Sequence, residues 1–332
     1  MPNATHNTHQ QQLTPDELQI LQLEKFPLRY MKRDAIIGLL GRRGSGKTFV
    51  LWDIMQKHRD IAEGIVFSGT EDSNDFWKRC IPDSYIFTKY NEEVVQKLID
   101  RQKFRPKTAR NDDGAPCPPP VFLVLDDMIH EKHILAKSPA LNYIFLNGRQ
   151  SKIMCIIAMQ ESTAFPPSLR LQFDYMFLCY TDSYQEKEKI YERFFGIIRD
   201  RLMFYDIVSQ TTEDYRCLVL NNKPLTGDLQ KRLFWYKVSD IKKRSHRVGS
   251  IAYWAAHQRY SRQAAHNRRI LRARARQMAE NAAKSGKNMK GRQNSNSNQD
   301  YSQFDEDNFE QMKPRRMYTD RPHESSIQVE LI

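Results

Sequence analysis

Eight consecutive residues carry the clearest chemistry in the chain. Gly41-Arg42-Arg43-Gly44-Ser45-Gly46-Lys47-Thr48 fits G-x-x-x-x-G-K-[ST] at every specified position. Glycines at these spacings let the backbone wrap an anion with its N–H groups, a turn that side chains would obstruct. Lys47 has the reach to meet the β- and γ-phosphates of a nucleotide, and the Thr48 hydroxyl suits Mg2+. Gly41 through Thr48 is therefore the expected nucleotide cradle, with Arg42 and Arg43 either touching phosphate or facing solvent. A chance glycine-rich turn would match the letters but not the flanks. Here the apolar Ile36-Ile37-Gly38-Leu39-Leu40 leads in as a buried strand, and Phe49-Val50-Leu51-Trp52 leads out as a helix. That helix would point its N-terminal partial charge at the same anion.

Two acids and an amide are spaced to complete a hydrolytic site. Val121-Phe122-Leu123-Val124-Leu125 is a continuous apolar run that ends in Asp126-Asp127. Such runs are strands buried on both faces of a parallel sheet, and acids at their carboxyl ends lie at the ligand edge. Asp126 is expected to hold Mg2+ through its water shell, and Asp127 to polarise an attacking water as general base. Asp-Asp after a hydrophobic run is often just a loop start; the phosphate loop about 80 residues upstream gives it weight. Gln160 closes a further buried run, Ile153 to Ala158, where an amide can touch the γ-phosphate or the lytic water or be an ordinary loop residue.

The elements that must position these groups alternate. Strands are expected at 35–40, 64–68, 85–87, 121–125, 153–158, 175–180, 215–220 and 232–238. Helices are expected at 48–57, from Asn91 to about Lys103, at 138–146 and at 183–195. Strands alternating with helices make a parallel or mostly parallel α/β sheet. Thr14-Pro15-Asp16-Glu17 reads as a helix start running into Leu18–Leu23, so residues 1–30 are expected to be a polar tail with a short helix. Arg105 to Pro120, with Asn111-Asp112-Asp113-Gly114 and three consecutive prolines, reads as a surface loop.

Composition narrows the class. The 332 residues with 40% hydrophobic content support one large domain and an appendage. Five cysteines with no CxxC pair argue for a reduced compartment, and Cys155, Cys179 and Cys217 are expected in the core. With no 18-residue apolar span and no N-terminal signal pattern, a soluble intracellular chain is expected. The net charge of +12 is concentrated: Lys242 to Arg292 hold 15 Lys/Arg and one acid, Glu280, whereas the first 241 residues hold 33 bases and 31 acids. A local basic block points to a polyanionic partner. Within it, Tyr260 to Ala283 has high helix propensity, with Arg262, Arg268, Arg269, Arg272 and Arg276 as expected phosphate contacts to nucleic acid. Arg268, Arg272 and Arg276 recur every four residues and share a face. The alternative is a solvated basic tail. Residues 285–332, Asn/Ser/Gln-rich and then acidic, are expected to be disordered.

The order of parts resembles the poxvirus-type DNA-packaging ATPases of nucleocytoplasmic large DNA viruses and their virophage relatives, within the FtsK/HerA class of P-loop motors. The matching stretches are GRRGSGKT at 41–48, VFLVLDDM at 121–128, LNGRQSKIMCIIAMQ at 146–160, PPSLRLQFDYMFL at 166–178, FWYKV at 234–238 and HRVGSIAYW at 246–254. They span roughly residues 30–255. The resemblance implies a RecA/FtsK-HerA-like ATPase domain over 31–255, with 256–284 as a DNA-contacting segment. It implies an ATP- and Mg2+-dependent ring of identical copies that moves double-stranded DNA into a preformed capsid, and capsid or other packaging proteins as partners. The host cytoplasm, a viral assembly site or the virion would be its location. Gln160 takes the sensor role of that class, and Arg149 and Arg170 become the candidate arginine fingers or else structural salt-bridge arginines. Many members carry Glu where Asp127 stands, and Asp has the shorter reach. A helicase or remodelling ATPase of the same fold and a nucleotide-gated scaffold are the competing readings.

Overall fold

The computed structural model describes residues 19–111, 113–128, 131–164, 166–238, 246–287 and 327–332. The chain opens with strand β1 (Gln19–Lys25), then β2 (Ile36–Leu40), helix α1 (Lys47–Lys57) and β3 (Glu63–Ser68). A single turn α2 (Glu71–Asn74), the short β4 (Ile86–Phe87) and α3 (Glu92–Phe104) follow. A small hairpin, β5 (Ala109–Arg110) with β6 (Pro116–Cys117), precedes β7 (Val121–Asp126), α4 (Lys132–Lys137), α5 (Pro139–Asn147) and β8 (Ile153–Met159). Next come α6 (Pro167–Arg170), β9 (Tyr175–Leu178), α7 (Tyr184–Phe194), α8 (Arg201–Thr211), β10 (Cys217–Asn221) and β11 (Leu233–Tyr236). The long α9 (Ile251–Lys287) and β12 (Ile327–Leu331) end it.

Ten strands form one sheet in the order β12-β1-β11-β10-β9-β2-β8-β7-β3-β4. All neighbours pair in parallel except β10, which runs against both β9 and β11. The fold is thus a mostly parallel α/β sheet flanked by helices, the P-loop class expected from the sequence. The central strands β2, β7 and β8 are buried along their whole length, which is why they read as unbroken apolar runs. Alternate residues feed two cores. Ile36, Leu123 and Ile157 pack on one face with α3, α5 and α8; Ile37, Leu39, Phe122 and Val124 pack on the other with α1. Serine and asparagine caps start the helices as their sequences suggest: Asn91 accepts from Val94 N at 3.1 Å and Ser138 Oγ from Leu141 N at 3.0 Å.

Two expectations at the chain ends are corrected. Gln19–Lys25 is a strand, not a helix. Leu21 and Leu23 are buried while Gln22 and Glu24 are exposed, a period of two that outweighs the capping signal at Thr14. Thr14 itself lies outside the described residues. At the other end, residues 285–287 complete α9 and Ile327–Leu331 form β12, which pairs in parallel with β1 from Gln19↔Ile327 to Leu23↔Leu331. Residues 288–326 of that expected disordered tail lie outside the described residues. The helix α8 was not among the expected elements.

The chain divides into one unit of residues 1–257 with 325–332 and a second of 258–324. The expected boundary at 255/256 falls inside α9. In the first unit, Tyr253 at the start of α9 is buried and donates its hydroxyl to Gly64 O at 2.7 Å. In the second unit the described part is the rest of α9.

Candidate nucleotide site

Strand β2 delivers the glycine-rich loop to the carboxyl edge of the sheet, flanked by β8 and β9. Gly41 sits at φ 157° with no room for a side chain: an added Cβ would come within 2.8 Å of Ser45 Oγ and 2.9 Å of Cys179 Cβ. Gly46, at φ 91°, caps α1 in left-handed backbone. Ser45 Oγ donates to Arg42 O at 2.8 Å and closes the turn. The Lys47 ammonium fills the loop, donating to Gly41 O at 2.6 Å and Arg42 O at 2.8 Å. Burial holds its pKa below the ordinary lysine value, partly offset by the nearby Asp127 and Asp126 carboxylates.

Asp126, 1% exposed, lies opposite the loop. Its Oδ1 accepts from Thr48 Oγ1 at 3.1 Å and its Oδ2 from Trp77 Nε1 at 3.1 Å. Burial pushes this carboxyl up to about 6, although both hydrogen bonds pull the other way. Asp127 adopts φ 52°, and Gln160 at the end of β8 donates from Nε2 to its Oδ1. Lys47, Thr48, Asp126, Asp127 and Gln160 thus converge from three neighbouring strand ends on one cavity of about 650 Å3, where Arg43, Gly44 and Gly46 also form the wall.

Sequence reasoning missed the groups behind this shell. Glu71, buried in the turn after β3, accepts from Trp77 N at 3.0 Å and Lys78 N at 3.1 Å. It thereby fixes the indole that holds Asp126. Nothing local marks Glu71, because its partners are set by how the chain folds back. Tyr215 and Lys237 also line the cavity and were read only as strand residues.

Three expected residues lie elsewhere. Arg42 turns away to pair with Asp182 at 2.6 Å and to stack on Tyr180 at 4.9 Å. Arg149 precedes β8, at the amino edge of the parallel strands, opposite the loop. It pairs with the buried Asp174, which also accepts from Ile36 N at 2.9 Å and pairs with Lys223 at 3.2 Å. Arg149 therefore does not reach the cavity of its own chain. Arg170 ends α6 and does not line the cavity either. Its Nε is buried without a hydrogen-bond partner, and burial and the charge of Arg193 lower its pKa. In the second unit, Arg262, Arg268, Arg269, Arg272 and Arg276 are all exposed on α9. At about 100° per residue they fall within an arc of about 120°, one face of the helix.

The donor set fits a metal–nucleotide pair. Among the described residues no group of three or more His, Cys, Asp or Glu is placed to hold a metal by itself. A Mg2+ ion at Thr48 and Asp126 would complete its octahedron from phosphate oxygens and water, as that ion usually does. The left-handed Gly44 and Gly46 on the cavity wall and the buried ammonium of Lys47 suit phosphate at the same point.

Uncharacterized protein L437 of Acanthamoeba polyphaga mimivirus is 31% identical over 228 residues, 67% of this chain and 78% of that protein. The chain belongs to the family of L437. Uncharacterized protein 075L of Invertebrate iridescent virus 6 is 30% identical to this L437-family chain over 219 residues, 65% of the chain and 82% of the relative. No family model matches the sequence. Among solved structures, the genome packaging NTPase B204 of Sulfolobus turreted icosahedral virus 2, in complex with ATP-gammaS, aligns with a TM-score of 0.42 and 17% identity, over 62% of this chain and 98% of that one. EssC (ATPases 2 and 3) of Geobacillus thermodenitrificans aligns with a TM-score of 0.44 and 13% identity, over 64% and 41%. No described helix is long and apolar enough to cross a membrane.

Proposed function

We propose that this L437-family chain is an ATPase that moves double-stranded DNA, and that its task is to package a viral genome into a capsid. The observation that carries the reading is the convergence of Lys47, Thr48, Asp126, Asp127 and Gln160 on one cavity. Viral relatives and the ordered motifs between residues 30 and 255 support the packaging role.

Lys47 would exchange the carbonyls of Gly41 and Arg42 for phosphate oxygens. The backbone N–H groups from Gly44 to Thr48 would hold the β-phosphate at the start of α1. Thr48 and Asp126 would hold Mg2+, which neutralises charge developing on the phosphates. Asp127 would take the proton of the attacking water while Gln160, already bonded to it, orients that water. Arg149 and Arg170 are candidate fingers toward the cavity of a neighbouring copy in a ring. The arginine face of α9 would hold the DNA backbone without reading sequence, as a motor acting on any sequence requires.

The test is the ATPase rate with and without linear double-stranded DNA, for wild type, Lys47→Ala and a variant with Arg262, Arg268, Arg269, Arg272 and Arg276 changed to Gln. Substitution is preferable to truncation after Trp254, which would also remove β12 from the sheet. DNA should stimulate the wild type, Lys47→Ala should be inactive, and the five-Gln variant should lose stimulation while keeping basal turnover. Basal turnover that DNA never stimulates, under any assembly condition, would reject the DNA motor.

A further inference from the structure

The cavity continues beyond the phosphate cradle to a wall that the phosphate chemistry leaves unused. It is built where β10 begins and β11 ends, from Tyr215, Lys237 and Val238, with Phe49 of α1 also on the lining. Tyr215 is 68% exposed, two residues before the buried start of β10. Tyr215 and Asp214 both occupy left-handed backbone, at φ 58° and 53°. A bulky residue adopts that region at a cost, and such outliers cluster at ligand sites. The conformation is braced: the Asp214 carboxylate is paired with the Lys237 ammonium across the strand ends, and Arg216 N donates to Glu213 O at 3.0 Å. The result stands the ring against the loop, where a Cβ on Gly46 would lie 3.6 Å from Tyr215 Cδ1.

We propose that Tyr215 is the stacking platform for the nucleobase, held by the Asp214–Lys237 brace, and that it grips the face of the base without reading its edge. The inference rests on the phosphate-binding reading of Gly41–Thr48. A cavity of about 650 Å3 is larger than a triphosphate needs and lies within the range that holds whole nucleotide-sized ligands. With the phosphates at the start of α1, the base must leave along one of the walls. This wall offers an exposed ring and the apolar Val238. Stacking accepts any base, because every base has a π-face. Lys237, on the same wall, is paired with Asp214 and is not spare for the edge of a base. The substrate class is therefore nucleoside triphosphates as a group, with little choice among the bases.

Calorimetric titration of wild type, Tyr215→Ala and Tyr215→Phe with Mg·ATP, Mg·GTP and inorganic tripolyphosphate tests this. Tyr215→Ala should weaken both nucleotides by about 10- to 100-fold and leave tripolyphosphate unchanged. Tyr215→Phe should stay within about threefold of wild type, and ATP and GTP should bind wild type within about fivefold of each other. Unchanged ATP affinity in Tyr215→Ala, or equal losses for ATP and tripolyphosphate, would overturn the platform. A preference for ATP over GTP of about 100-fold or more would overturn face-only recognition. If wild type binds neither nucleotide nor tripolyphosphate, the phosphate-binding reading itself fails.

Discussion

At the scale of single residues, Asp126 shows how the site sets function against stability. Its carboxyl titrates at about 6 in the fold against 3.8 ordinarily, because burial disfavours the charge. Between about pH 4 and 6 the folded chain therefore keeps a proton that the unfolded chain has released. The contribution of this group to stability grows as pH falls through that window, and the ionised form costs the empty fold on the order of 1–3 kcal/mol at neutral pH. Asp126→Asn removes that cost with little change of shape, since the Thr48 hydroxyl can reverse to accept from the new amide. The melting temperature without nucleotide should rise by about 2–6 °C. Mg2+-dependent ATP turnover should drop by about 100-fold or more, because a neutral amide is a poor partner for the ion. A lower melting temperature in calorimetry would refute the burial argument. The same sign applies to ligand: Mg·ATP affinity should fall as pH drops below about 6, where Asp126 is protonated.

At the scale of elements, the short turn after β3 deserves the same scrutiny as the loop, because it holds the indole that holds Asp126. The two N–H groups of Trp77 and Lys78 are satisfied by Glu71 alone among the bonds described. Glu71→Ala leaves the buried Trp77 N–H without its partner, at a cost of about 1–3 kcal/mol. It should also loosen Trp77 and so release the indole hydrogen bond that lowers the Asp126 pKa. Urea unfolding should show the loss of stability, and the pH midpoint of Mg·ATP binding should move upward. A stability loss with an unmoved midpoint would mean that Glu71 supports the fold and does not position Asp126.

At the scale of the whole molecule, the last strand covers an edge. β12 gives β1 a partner, and the Gln210 amide of α8 clasps the other side of β12, donating to Ile327 O at 2.9 Å and accepting from Val329 N at 2.8 Å. Ile327 is 3% exposed and belongs to the core. Removing residues 325–332 should destabilise the fold by about 2–4 kcal/mol and leave the β1 edge open to pairing between copies. Melting temperature and size-exclusion chromatography check this; an unchanged melting temperature and no added aggregation would mean that β12 contributes little.

Much of the site was legible because its chemistry is local. The loop glycines, Lys47 and Thr48 are contiguous, and unbroken apolar runs placed Asp126, Asp127 and Gln160 at strand ends, since strands buried on both faces cannot hide their composition. Cys155, Cys179 and Cys217 sit in apolar runs of their own strands or just beyond, and all three are buried as expected. Tertiary structure alone decided what depends on partners distant in sequence. Arg149 is held by Asp174 at the far edge of the sheet. Trp77 reaches Asp126 across 49 residues, and β1 takes its place between β11 and β12, the latter 308 residues later. Tyr215 stands beside the loop because a left-handed turn and the Asp214–Lys237 pair hold it there. Composition and periodicity report what a residue buries, and only packing reports what it touches.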